Sequence, residues 1–87
     1  MIYVKNDEAT YRWWLEAHPD GYVANLGTGG KNRAMLHTAR CFHLYPPSEG
    51  LIHTVTLAKA CSSDSEEVQQ WARANGFDVV PCPDCEV

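Results

Sequence analysis

The sequence predicts a small α+β domain: an antiparallel sheet of three or four strands, one helix packed on it, and a second helix at the N-terminus. Three observations carry that reading. Two segments place apolar residues at helical spacing between recognisable caps. Several others are short, β-branched or alternating, and are separated by turn residues. The length, 87 residues, leaves room for one hydrophobic core and not two, so residues 1–87 form a single unit with element order α-β-β-β-α-β.

The N-terminal helix is expected from about Asp7 to Ala17. Asn6 or Asp7 supplies a capping oxygen, acids occupy the first turn, and His18-Pro19 stops the helix. Tyr11, Trp14 and Leu15 make its buried stripe, with Trp13 at the edge; an exposed Trp13 would mark a binding face. Tyr22 to Gly27 and Ala34 to Ala39 read as two strands, joined through "TGGKNR" as a hairpin. Leu51 to Cys61 alternates around a β-branched centre and reads as a third strand. In "SSDSEEVQQWARANG", Ser63 and Glu66 form a capping box. Val68, Trp71, Ala72 and Asn75 share a helical face, and Asn75-Gly76 closes the helix. "FDVV" adds a short final strand.

The net charge is −4 and unevenly spread. Residues 1–20 set Lys5 and Arg12 against four acids, and residues 61–87 set Arg73 against six. Between them, Lys31, Arg33, Arg40 and Lys59 face only Glu49. An acidic total argues against strong non-specific nucleic-acid binding, while the basic middle leaves a local phosphate contact open beside the plainer reading of a solvated surface. No apolar run approaches the length of a membrane span, and no basic start leads into an apolar run, so the expectation is a cytoplasmic protein with no membrane partner. In a reducing compartment, four cysteines point to metal or to inert buried thiols.

Two spacings favour metal. His37-x3-Cys41 and Cys82-x2-Cys85 each suit a turn that aims two donors at one centre, and four N/S donors make a closed tetrahedral site for Zn2+. One ion would tie the hairpin to the C-terminal turn and would help so small a core. Cys61 is the rival for His37 as fourth ligand, against its reading as a buried thiol. His43 is placed at the surface or beside a ligand, and His18 and His53 have no motif around them. A redox role for "CPDC" is disfavoured. The motif is not at a helix N-terminus, and Asp84 would raise the thiol pKa.

"LHTARCFHL" followed by "SSDSEEVQQWARANGFDVVPCPDC" resembles the zinc-binding domain of Ada-type bacterial DNA repair proteins, and more closely its shorter relatives in which a histidine opens the first pair. The likeness spans about residues 34–86 and maps onto His37, Cys41, the Ser63–Gly76 helix, Pro81, Cys82 and Cys85. It implies a structural zinc site held by those four ligands and a nucleic-acid-facing ancestry in a larger bacterial system. It does not imply the repair chemistry. The methyl-accepting ligand of those proteins is a cysteine, and an imidazole at His37 cannot act as that thiolate.

Nothing else in the sequence carries catalysis. "GTGGKN" lacks phosphate-loop spacing, and Asp64, Glu66 and Glu67 belong to a helix N-terminus. The expected role is a non-enzymatic binding module. Its partner is a protein, met by the N-terminal helix or a sheet edge, or DNA phosphate, met by Lys31, Arg33, Arg40 and Lys59.

Overall fold

A computed structural model describes residues 1–45, 54 and 57–85 of the chain. Its elements are β1 (Ile2–Val4), α1 (Glu8–Ala17), β2 (Tyr22–Leu26), β3 (Arg33–Thr38), β4 (Lys59–Ser62), α2 (Ser65–Ala74) and β5 (Asp78–Pro81). The class is α+β as expected, but the sheet has five strands, in the order β1-β4-β2-β3-β5. Neighbours are antiparallel except β3 and β5, which are parallel. The extra strand is β1, three residues long and too short for an alternation to register.

The third strand is also corrected. β4 starts at Lys59, not near Leu51, and is buried at all four positions, as a strand covered on both faces must be. Of the expected reach, residues 51–53, 55 and 56 lie outside the described residues, and Thr54 has helical backbone.

Helix α1 forms where its caps allow. The Asp7 side chain accepts from the Thr10 N–H at 3.2 Å, and the His18 N–H closes the far end on the Trp14 carbonyl at 3.0 Å. Its stripe is the expected one: Tyr11, Trp14 and Leu15 are buried, and Trp13 is exposed. The N-cap of α2 falls one residue later than expected, at Asp64, whose Oδ1 accepts from the Glu66 N–H at 3.0 Å. Ser62, not Ser63, completes the turn: its Oγ accepts from the Asp64 N–H and donates to Glu67 Oε1. Asn75 caps the other end, and Gly76 follows at φ +86°, a conformation that favours glycine.

The sheet separates two apolar clusters. Cross-strand partners share a face, so Cys61, Val23 and His37, aligned across β4, β2 and β3, look the same way. That side packs on Tyr11, Trp14 and Leu15 of α1. The next row, Ala60, Ala24 and Leu36, looks the other way, toward Val68 and Ala72 of α2. Alanines at positions 24, 34, 60 and 72 keep that side shallow enough for the helix to lie close.

Candidate metal centre

Parallel pairing of β3 and β5 is what builds the site. Leu36 stands opposite Pro81, so the residues that follow, His37 near the end of β3 and Cys82 just past β5, lie at the same end of adjacent strands. Antiparallel partners would have carried them to opposite ends. The Cys82 N–H extends the ladder by one bond, donating to the Leu36 carbonyl at 2.9 Å. On the other side, β3 ends in a turn pinned by Ala39 N–H to the Gly21 carbonyl and by Cys41 N–H to the Thr38 carbonyl. That turn folds Cys41 back beside His37.

His37, Cys41, Cys82 and Cys85 thus converge, with one donor atom from each lying within 4.8 Å of all the others. Cys41 Sγ is 4.0 Å from Cys82 Sγ, and Cys85 Sγ is 3.6 Å from His37 Nδ1. Tetrahedral coordination with metal–sulfur bonds of about 2.3 Å and metal–nitrogen bonds of about 2.0 Å requires edges of about 3.8 Å (S···S) and 3.5 Å (S···N). Both measured separations are close to those edges. All four cysteines are free thiols, and His37, Cys41 and Cys82 are buried.

The titration shifts leave neutral donors at the site, His37 and Cys85. Burial, then the nearby His43 and Lys59, push the His37 pKa down to about 4, leaving the neutral imidazole that coordinates metal. Burial, then hydrogen bonding with Cys41 and Cys82, pushes the Cys85 thiol up to about 12. Burial also works to raise Cys82, but backbone N–H groups of Asp84 and Cys85 and the side chains of Cys85 and His43 outweigh it and hold that thiol low. Three crowded thiols can share only a little negative charge by themselves, whereas a divalent ion stabilises all three as thiolates.

Cys61 is not part of the cluster. It occupies the same row as His37 but two strands away, roughly 10 Å at ordinary sheet spacing. It is fully buried against the α1 side, and burial raises its pKa to about 12, so it is an inert core thiol. His43 sits beside the cluster, its Nδ1 3.5 Å from Cys82 Sγ and its Nε2 3.3 Å from Asp84 Oδ2. Reading Asp84 only as a charge that raises the thiol pKa missed this: its N–H donates to Cys82 Sγ at 3.4 Å, and its carboxylate turns to His43. The histidine two residues past Cys41 was the available signal for that partner.

The basic segment does not reach the surface intact. Lys31 and Arg33 are exposed on the β2–β3 connection and its edge. The exposed Arg40 donates to the Leu15 carbonyl at 2.8 Å and lies 3.8 Å over the Tyr45 ring. Lys59 is only 4% exposed and donates to Asn25 Oδ1 and to the Leu57 carbonyl, which removes it from any phosphate-binding surface. No described helix is long and apolar enough to cross a membrane. No family model, curated protein or solved structure matches the chain.

Proposed function

We propose that this chain is a non-enzymatic recognition module whose fold is clamped by a structural Zn2+ held by His37, Cys41, Cys82 and Cys85. The observation that supports it is the pair of near-tetrahedral edges, one S···S and one S···N, among three cysteines and one neutral histidine. Thiolate and imidazole donors favour zinc over Mg2+ or Ca2+, and four protein donors leave no position for a reacting water. The ion would offset two of the three thiolate charges. The residues do the rest: His37 and Cys41 fix the exit of β3, and Cys82 and Cys85 fix the exit of β5. The order of ligands also agrees with the resemblance to the short His/Cys3 relatives of the Ada-type zinc domain.

Contact with a protein suits the module better than contact with DNA. The chain is acidic overall, and one of the four cations of the basic segment is buried in the core. The test is native mass spectrometry of the wild type with His37→Ala, Cys41→Ser, Cys61→Ser and Cys82→Ser. One zinc per chain, retained by Cys61→Ser and weakened or lost in the other three, is the expected result. Absence of metal from the freshly purified wild type overturns the reading. Duplex DNA binding that falls steeply with salt and disappears in the double variant Lys31→Glu, Arg33→Glu would reassign the module to nucleic acid.

A further inference from the structure

We infer that the groove on the α2 side of the sheet is the module's recognition site, and that it takes an acidic peptide segment anchored by one large apolar side chain. This rests on the reading of the chain as a recognition module, and not on its metal.

The groove encloses about 540 Å³, within the usual range for a binding cleft. Leu26, Leu57 and Ala58 are among its apolar lining, and Tyr3, Trp71 and Phe77 are its aromatic residues. It exists because of the topology. Tyr3 and Lys5 come from the β1 side of the sheet, while Trp71 comes from α2, which packs on β2, β4 and β5. The Tyr3 and Trp71 rings meet with centroids 5.6 Å apart and planes tilted by 39°, so they form one joined wall. Tyr3 is 50% exposed, so a partner's side chain would cover it.

Charge selects the occupant. The charged residues lining the groove are Lys5 and Lys31, both exposed, in a chain whose net charge is −4. Neither ammonium forms an ion pair or hydrogen bond among the described residues. At the nearby end of α2 the Trp71, Ala72 and Arg73 carbonyls are already bonded by Asn75, Gly76 and Phe77. Two cations beside an apolar cleft complement a short segment with one anchor and flanking carboxylates. A long polyanion fits less well. It would lie against an acidic protein, and the joined Tyr3–Trp71 wall does not offer the separate open faces on which successive bases stack.

The probes are labelled peptides in which a single leucine or tryptophan is flanked by four Asp or Glu residues, titrated into 15N-labelled full-length protein of measured zinc content. Peptides with lysine in the flanks, and oligothymidylate, are run in parallel. The expected result is saturable shifts at Tyr3, Lys31, Trp71 and Phe77 for the acidic peptides. Affinity should fall about tenfold in Lys5→Glu with Lys31→Glu, and also in Tyr3→Ser, a change at an exposed position that spares the core. No shift at these residues up to millimolar acidic peptide overturns the inference, as does equal binding of the lysine-flanked peptides. Stronger shifts from oligothymidylate at the same residues overturn the peptide assignment in favour of single-stranded nucleic acid. A zinc-free but folded protein that still binds would overturn the metal reading alone.

Discussion

Leu36 and Pro81 are register partners in the only parallel strand pair among the described residues, and the His/Cys cluster begins one residue beyond each of them. That relationship brings His37 and Cys82 to one end of the sheet, and the turns after them add Cys41 and Cys85. The hairpin partner of β3, the antiparallel strand β2, could not have brought a C-terminal pair to the same end. The role of α2 is to return the chain from β4 across the sheet so that β5 arrives parallel to β3.

Removing the metal should therefore loosen one end of the sheet first. With a strong chelator, the melting temperature is expected to drop by about 10–20 °C, the loss that corresponds to free metal at roughly 100 times its Kd in a domain of this size. Amide exchange should accelerate most at Thr38 and Cys82, and least in α2, which packs on the opposite face of the sheet. A chelator-independent melting temperature, measured by differential scanning calorimetry, would contradict the clamp.

Cys61 and His37 lie in the same row and should behave oppositely. Cys61→Ser is expected to keep zinc and lose about 1–3 kcal/mol, because it places a hydroxyl among Val4, Tyr11 and Val23. His37→Ala is expected to lose zinc affinity outright. Urea denaturation with metal analysis of the same samples separates the two. Zinc loss in Cys61→Ser would restore it as a ligand.

Gly21 is a close-approach glycine. A Cβ there would stand 2.5 Å from Cη2 of Trp14, whose ring is fixed by stacking on His18 at 4.6 Å. Gly21→Ala should cost about 1–3 kcal/mol, measured by urea unfolding, because a buried indole has little room to retreat. It should also disturb Ala39, which bonds to the Gly21 carbonyl and begins the turn to Cys41.

Lys59 makes stability depend on pH with a definite sign. Burial pulls its pKa from 10.5 down to about 8, against the raising influence of Cys61 and Glu8. Between those values the unfolded chain holds a proton that the folded chain has released, so this residue's contribution to stability rises with pH. Cys61 works the other way above its unfolded value of 9.0, since the folded thiol stays protonated to about 12. A comparison with Lys59→Met at each pH largely cancels the Cys61 effect. Relative to that variant, the wild type should gain up to about 3 kcal/mol between pH 8 and 10.5 in denaturant titrations. A flat difference would show that the ammonium is not desolvated.

The helices and the clustering of His37, Cys41, Cys82 and Cys85 were legible because their signals are local. Asp7 and Asn75-Gly76 announce helix ends, the Ser63 box falls one residue short of the Asp64 cap, and the spacings of His37 with Cys41 and of Cys82 with Cys85 announce turns. What was not legible depends on pairing. β1 has only three residues, and its support comes from β4, more than fifty positions away. The parallel alignment of β5 with β3 depends on how α2 crosses the sheet, which no window of sequence contains. The burial of Lys59 hides for the same reason. Its tolerance comes from Asn25 on the neighbouring strand and the Leu57 carbonyl, so a cation count alone placed it on the surface.

The contact of His43 with Cys82 should set how tightly that sulfur holds its metal. A Cys3His site with Zn2+ carries one net negative charge, and a ring N–H donated from Nδ1 to the thiolate, with Nε2 held beside Asp84, would ease it. Neither residue is a ligand of the main cluster, and both are more than a third exposed, so substituting them should leave the fold intact. His43→Ala is expected to keep one zinc per chain and an almost unchanged melting temperature, yet to release the metal about 10–100 times faster to a chromogenic chelator. Asp84→Asn should lie between the wild type and His43→Ala, since it leaves the ring in place but removes the charge that orients it. The Co2+-substituted proteins give a readout that a packing effect would not move. Loss of a hydrogen bond to one sulfur should shift the thiolate-to-metal charge-transfer band to lower energy in His43→Ala. An identical spectrum and release rate would mean that His43 only lies near Cys82 and does not act on it.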